Sequence, residues 1–530
     1  MQPQRRFDTI SRTPLRAERD RKVPISSDSS TSPATDHATG PSAELTASLP
    51  WIMRNGVGIQ VMETLAVGAF LTSFAVVLGA SNFVIGLLAA TPHLSQLAQL
   101  PALVVVDRYR DRKKVYFWSG FIARPMLLLI GAAAFVPSSN VALAVIVVAF
   151  LVRYMMGAFL GCAWGSWMRD LVPDRMMGEI FGARQKRMIF VGAILSLVAA
   201  GFVDAWAHWI PLPTTYGYAV IYALAFFGGA YGVYAGNHIY EPPMASDGPQ
   251  EHWLAQLKAP FRNKNFRRVL SFLASWNFAI NLAAPFFTVH MLKRIELSLA
   301  SVVGLGTLSQ MAAYLMVSQW GLIADRFSNK SVLSVCAPLF IACIFLWTFT
   351  MFPERHAFTI PLLIAIHIAT GVASAGVTLA SGNITLKLAP RGNATAYLSV
   401  SSLVNSLAAG TASMVGGLTA DYFLSRKLSV VLRYHEPTGD VEFSALMFTQ
   451  WDFFFLLAAV LGLYALHRLS LVREEGHVTE GVVIETLLAN ARQGMRNLST
   501  IAGLRSATEF PLEWLRRAAR RDQAGEEPEP

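Results

Sequence analysis

Twelve apolar stretches recur along the chain, each close to the roughly twenty residues that a helix needs to cross a hydrocarbon layer about 30 Å thick. They fall at approximately 56–79, 83–106, 115–136, 141–167, 189–206, 218–236, 269–291, 300–323, 331–352, 359–386, 395–419 and 450–469. Composition agrees with them. Of the 530 residues, 53% are hydrophobic and only 15% charged, against about 25% charged in an ordinary soluble domain. One soluble core stops growing at about 250–300 residues and has no use for this much apolar surface. The pattern argues against a soluble globular enzyme. Cys162, Cys336 and Cys343 sit inside apolar runs without metal-type spacing, so neither a disulfide framework nor a metal site is expected.

The net charge of +10 fits either a nucleic-acid-binding surface or a membrane protein with basic loops on one side. Position separates the two. Suppose the N-terminus is cytoplasmic. The tail, the loops 107–114, 168–188, 237–268, 324–330 and 387–394 and the C-terminal tail then hold about 36 of the 44 Lys+Arg, and the opposite loops about six. Such a bias places both chain ends inside. Membrane spans cut the positive charge into short loops, leaving no continuous basic surface for nucleic acid. Residues 1–48 are rich in Arg, Ser, Thr and Pro and carry no apolar signal segment, so a disordered cytoplasmic tail is expected there.

The spans repeat. At a shift of about 218, SNFVIGLLAATP (81–92) lies on LASVVGLGTLSQ (299–310), pairing Gly86 with Gly304. VDRYRDRKKV (106–115) lies on ADRFSNKSV (324–332), and DLVP (170–173) answers KLAP (387–390) at 217. Two parallel copies of a six-helix unit follow, 49–236 and 269–470, joined by a cytoplasmic linker at 237–268 and followed by a tail at 471–530.

With these features the sequence resembles the major facilitator superfamily of secondary transporters, over about residues 50–470. In that family the loop after the second span of each half reads approximately G-x-x-x-D-[RK]-x-G-[RK]-[RK]. Here Gly321, Asp325, Arg326 and Lys330 match in the second copy, and Asp107, Arg108 and Arg112 in the first. The first copy lacks the leading glycine, and both lack the inner one. WGSWMRDLVP (164–173) and GEIFGAR (178–184) resemble a connection found in poorly characterised prokaryotic members. The resemblance implies an all-α membrane fold of two pseudo-symmetric six-helix bundles, in an inner or plasma membrane. It also implies transport by alternating access, without ATP or a cofactor. The loop carboxylates suit a gate: Asp107 and Asp325 can accept from the N-terminus of a neighbouring helix, or from an Arg, and latch two helices together. The plainer reading is a basic loop that only sets topology.

An ionisable side chain at membrane depth costs about 2.5–3.5 kcal/mol on insertion scales, so each one needs a reason. Glu63, Arg124 and Arg153 fall within the first, third and fourth spans, while their repeat positions hold Asn281, Ala342 and roughly Thr370. Ionic chemistry is therefore confined to the first half. Gly157, Gly161 and Gly165 follow Arg153 at i+4 spacing, which is expected to mark a close helix contact. In the family the first, fourth, seventh and tenth spans line the central cavity, which implies that Glu63 and Arg153 lie on its wall and that Arg124 is structural. Glu63 is either the carrier of a coupling proton or half of a permanent ion pair with Arg153 or Arg124. Arg153 either binds an anionic substrate or serves that pair.

Gln60, Asn277, Asn281, His367 and Asn405 are weaker candidates for substrate contact, since polar residues on cavity helices also glue helices together. His290 and Asp204 are expected at the interface, as are Trp51, Trp118 and Trp451. Gly228, Gly232 and Gly236 are expected to pack. In the C-terminal tail Val483, Leu487, Ala491, Met495 and Leu498 fall at helical spacing, and Trp514 precedes four arginines, a pattern suited to an anionic membrane surface. No metal-ligand cluster, nucleophile elbow or carboxylate pair points to an enzyme. The expected function is proton-coupled transport of a small solute by a monomer in the lipid bilayer, and the intramembrane arginines hint at an anionic one. The alternative is a non-transporting membrane sensor or assembly protein acting through its tails.

Overall fold

A backbone in hydrocarbon has to satisfy its own hydrogen bonds, and this chain does so with helices. A computed structural model describes residues 43–244, 258–351, 355–390, 394–436 and 439–498. Twelve described helices are long and apolar enough to cross a membrane: α1 (Ala43–Val77), α2 (Asn82–Tyr109), α3 (Arg112–Phe135), α4 (Ser139–Leu171), α5 (Asp174–Trp209), α6 (Thr214–Asn237), α7 (Lys264–Lys293), α8 (Leu299–Arg326), α9 (Asn329–Met351), α10 (Thr359–Lys387), α11 (Ala396–Phe423) and α12 (Gln450–Ser470). Each expected span falls on one of them. Several run further, because the hydrogen-bond ladder continues after the apolar run stops: α5 starts at Asp174 and α1 at Ala43.

Helix starts carry the duplication most clearly. Ser81 and Ser298 each accept from the N–H three residues on, at 3.3 and 3.2 Å. Asp111 and Ser328 do the same at 2.8 and 3.1 Å. Both pairs are 217 residues apart, one fewer than the shift that aligns Asp107 with Asp325. Gly86 and Gly304 are therefore not equivalent positions. A motif fixes the register of its own few residues, while a cap fixes that of the helix.

Glycines bring α1 and α6 together as expected: a Cβ on Gly58 would lie 2.7 Å from the Gly232 nitrogen. Gly157, Gly161 and Gly165 behave differently. A Cβ on any of them meets nothing within 4 Å, so this stripe of α4 faces open space and not a neighbouring helix. His290 and Trp451 also depart from expectation. Both are buried, and His290 Nε2 lies 3.0 Å from Thr350 Oγ1 against the Trp347 and Trp451 rings.

We call the face where α1 begins and α12 ends the tail face, and the opposite one the far face. The halves meet along α2 with α11 and α5 with α8. In α2 the part that meets α11 is the far-side segment Asn82–Leu94, whereas Gln99–Tyr109 packs chiefly on α3 and α4 of its own half. Ala69–Val77 of α1 likewise touches α7 and α8. The halves converge at the far face and part toward the tail face. A two-stranded antiparallel hairpin, β1 (Leu428–Glu436) and β2 (Gly439–Phe448), connects α11 to α12 on the far side.

Beyond α12 the chain docks back on the second half and forms α13 (Glu480–Leu498), as the apolar spacing indicates. The Trp514 segment lies outside the described residues. Val483 is fully buried and α13 packs on α9. Gly476 makes the approach possible: its φ is +79°, and a Cβ there would lie 2.5 Å from the Phe327 carbonyl oxygen. His477 Nδ1 sits 3.2 Å from Ser331 Oγ, with Lys330, Glu474 and Glu480 as charged neighbours. Burial, and after it the Lys330 ammonium, lowers the His477 pKa below its ordinary 6.5.

A proton therefore binds the released segment better than the docked one. Docking is complete above the ordinary histidine range and weakens as pH falls through and below it. Amide exchange over 478–490, corrected for intrinsic rates, is expected to speed up between about pH 7.5 and pH 5. Protection that stays constant across that range would contradict the docking account.

Candidate functional site

Three of the helices that surround the centre of the molecule are irregular at membrane depth. α1 breaks at Val67–Gly68, where Gly68 takes φ +64°, while Pro92 lies inside α2 and Pro285 inside α7, each leaving a carbonyl one turn back without its helical N–H. A break or an internal proline frees backbone groups, and at this depth they are tolerated only where protein or a cavity receives them. Here there is such a cavity, of about 270 Å³, lined by Val67, Gly68, Pro92 and Pro285. Its polar groups are Thr72, His93, Asn281, Thr288 and Ser413, drawn from both halves. His93 and Asn281, one from each half, both line it. The cavity is slightly below the usual size of a ligand pocket, about 300–1,000 Å³.

Phe150 lines the same cavity, and one turn further along α4 lies the ion pair of the first half. Arg153 Nη2 donates to Glu63 Oε1 at 2.6 Å. The two ends differ in burial: 3% of the Arg153 side chain is accessible, against 41% of that of Glu63. The Arg153 guanidinium also lies over the Tyr154 ring, 4.6 Å from its centroid. The carboxylate is the accessible end of a pair whose cation is fixed in the helix packing.

Arg124 is not Glu63's partner. It is buried where α3 breaks before Pro125, against Gly229 of α6, and its Nε has no hydrogen-bond partner. Toward the tail face a further arginine joins the set. Arg184 donates to Asn55 Oδ1 at 3.3 Å and lies over Trp164. Asn55 donates in turn to Tyr116 Oη at 2.7 Å and to the Gly232 carbonyl at 2.8 Å. Arg124, Arg153 and Arg184 each bury an Nε without a partner.

The other sequence candidates scatter. Asn281 reaches the cavity, while Asn277 donates to the Leu273 carbonyl of its own helix at 2.8 Å. Gln60 donates to Thr64 at 3.0 Å and packs on Gly192 of α5. His367 bonds its own helix at Leu363 and packs on Trp347. Asn405 buries an Oδ1 without a partner in α11. His93 and Thr72 were missed: they sit in apolar runs and carry no fixed charge, and their meeting with Asn281 depends on the crossing of two halves.

At the tail face the capping chemistry expected of the loop carboxylates belongs to other residues. Asp107, Arg108, Asp325 and Arg326 are exposed helix ends, and no described hydrogen bond or ion pair joins them to another helix. Glu241 instead accepts from the Arg112 and Lys113 N–H groups at 2.8 and 3.2 Å. Glu474 accepts from the Lys330 N–H at 2.7 Å and from Asn329 Nδ2 at 3.0 Å. Each carboxylate follows the sixth helix of its half and caps the third. The buried Arg112 adds Asp170 and the Pro242 carbonyl, and Lys330 Nζ reaches the Val472 carbonyl at 2.7 Å. Gly321 meets only Leu379, at ordinary contact distance. These ties hold each half together and leave the space between the halves open.

A family model for the Major Facilitator Superfamily matches residues 55–354 and again 269–482. Among solved structures, the nucleoside transporter NupG is 14% identical, with TM-score 0.58, over 80% of this chain and 98% of that one. A bacterial homologue of the iron transporter ferroportin, in an inward-facing state, is 12% identical with TM-score 0.56, over 80% and 97%. A bacterial homologue of the human lysosomal transporter Spinster, inward-facing and unoccupied, is 15% identical with TM-score 0.52, over 72% and 82%. At these identities the likeness shows the fold alone. No curated protein matches the chain.

The uneven burial of the ion pair has a measurable consequence. Glu63→Leu leaves a buried guanidinium without its counter-ion and is expected to cost about 3–5 kcal/mol. Arg153→Leu leaves an accessible carboxylate and is expected to cost about 1 kcal/mol. Thermal melts in detergent should therefore rank Glu63→Leu well below Arg153→Leu, and the reverse order would contradict the assigned geometry.

Proposed function

We propose that this chain, which belongs to the Major Facilitator Superfamily, is a proton-coupled secondary transporter of a small solute with an anionic group. It is a multi-pass membrane protein with the fold and family of transporters. In our reading both chain ends are cytoplasmic, in line with the concentration of Lys and Arg on the tail-face loops. The membrane is an inner or plasma membrane, and the protein acts as a monomer. The expected bounds of 49 and 269 move to the helix starts at Ala43 and Lys264: the bundles are then 43–237 and 264–470, with cytoplasmic tails before and after them and a cytoplasmic linker between.

The single observation that carries the coupling is the pair of a buried Arg153 with an accessible Glu63. A carboxylate that takes up a proton no longer neutralises the guanidinium beside it. Arg153 is then free to bind an anionic group entering through the open tail face, and loss of the proton restores the pair and expels that group. Proton and solute thus act on one cation, which is what obligatory coupling needs. Arg124 and Arg184 support an anionic solute, since three arginines and one carboxylate leave the interior of this half positive. His93, Asn281 and Thr72 supply uncharged polar contacts at the cavity.

Candidate solutes come from a thermal-shift screen of small carboxylates, phosphates and neutral controls, and each hit is then assayed in proteoliposomes. A pH gradient is expected to drive accumulation in the parent. In Glu63→Gln the amide oxygen still accepts from Arg153, so the fold and solute exchange should survive while accumulation is lost. Full gradient-driven accumulation by Glu63→Gln would overturn the proton role.

A further inference from the structure

We infer that Asp204 and Asp421 are two equivalent clasps that close the far face, each capping a helix of the opposite half. The first turn of any helix has N–H groups with no partner inside the helix. In α2 and α8 the local Ser81 and Ser298 satisfy the third of them. The first two are left to a carboxylate from across the interface. Asp421 of α11 accepts from the Asn82 N–H at 3.1 Å and the Phe83 N–H at 2.9 Å, and also from Asn82 Nδ2 at 2.8 Å. Asp204 of α5 accepts from the Leu299 N–H at 3.0 Å and the Ala300 N–H at 2.8 Å.

The two arrangements are one arrangement made twice. Asp204 and Asp421 are 217 residues apart, as are Leu299 and Asn82, Ala300 and Phe83, and the two serines. The duplication has therefore kept a contact that neither half can make alone. Position and charge both favour it, because a carboxylate at a helix N-terminus meets the positive end of the helix dipole and accepts charge-assisted bonds. Sequence reading placed Asp204 at the interface with lipid headgroups. The structure gives it a partner in the other half instead.

The seams around the clasps differ. Along α2 and α11 the backbones nearly touch: a Cβ on Gly417 would lie 2.6 Å from the Asn82 carbonyl oxygen, and one on Gly86 2.3 Å from that of Ser413. Between α5 and α8 no described glycine brings the two backbones so close. The first clasp is thus backed by close packing, and the second works on a looser seam. Both lie beyond the central cavity, so releasing them gives that cavity a route to the far side. Because the carboxylates bridge the halves only when the far face is shut, they bias the molecule toward the tail-open state seen here.

The inference concerns how the halves are held. It rests on alternating access but not on the proton role of Glu63, and its test needs neither solute nor pH gradient. Thr72 lines the cavity below the far face. In sealed vesicles with the far face outward, Thr72→Cys is probed with a membrane-impermeant maleimide, against a parent without that cysteine. Asp204→Ala with Asp421→Ala is expected to raise the labelling rate at least about tenfold by shifting the population toward the far-open state. A double variant that stays monodisperse and labels at the parental rate overturns the clasp. Should the double variant fail to fold, Asp204→Asn and Asp421→Asn carry the test singly, since each keeps the side-chain size and one acceptor. Each should label faster than the parent, and parental rates in both would overturn the inference.

Discussion

A guanidinium buried among apolar helices is costly unless a charge of opposite sign stands beside it, and at Arg153 the first half of this molecule meets that requirement. Removing two charges from water costs several kcal/mol per ion, and their attraction repays it only in good geometry. The 2.6 Å contact with Glu63 and the Tyr154 ring over the guanidinium supply that geometry. The two partners stand on α1 and α4, so the pair also joins helices. What sets it apart from the equally uneven Arg112–Asp170 pair is its place at membrane depth: the cation is enclosed, and the anion can be reached.

The same accounting of charges explains how the halves are tied. At the tail face the ties that Glu241 and Glu474 make are internal to one half: Glu241 with Arg112 in the first, Glu474 with Lys330 in the second. At the far face the carboxylates cross from half to half, at Asp204 and Asp421. One chemistry, a carboxylate on an unpaired helix start, stiffens each bundle on one side and joins the bundles on the other. On the proposed reading, a molecule built this way moves as two bodies with a seam that opens at one face at a time.

Much of this was legible in the sequence, for a physical reason. Apolar run length is a local property, so the twelve spans read directly, and α13 followed from the spacing of Val483 and Leu487. Glu63 and Arg153 stood out because charge at membrane depth is expensive. What stayed hidden depends on which helices cross. Gly157, Gly161 and Gly165 have the spacing of a packing stripe yet face open space, since spacing fixes a side of a helix and not what lies opposite. His93 is one polar residue in an apolar run until α7 brings Asn281 to it. The Asp107 and Asp325 motif drew attention to the right chemistry on the wrong residues. Glu241, Glu474, Asp204 and Asp421 make the caps, and they lie outside any motif. For Asp204 and Asp421 alone, their 217-residue spacing was a signal in the sequence that could have found them.

The central claim is that a proton at Glu63 and a solute at Arg153 are linked. The most direct measurement is calorimetry of solute binding to the purified protein in buffers of different ionisation enthalpy, which counts the protons exchanged. The account predicts an exchange of about one proton per bound solute near neutral pH in the parent, and none in Glu63→Gln. Binding without proton exchange at any pH between about 5 and 8, or an unchanged exchange in Glu63→Gln, would contradict it.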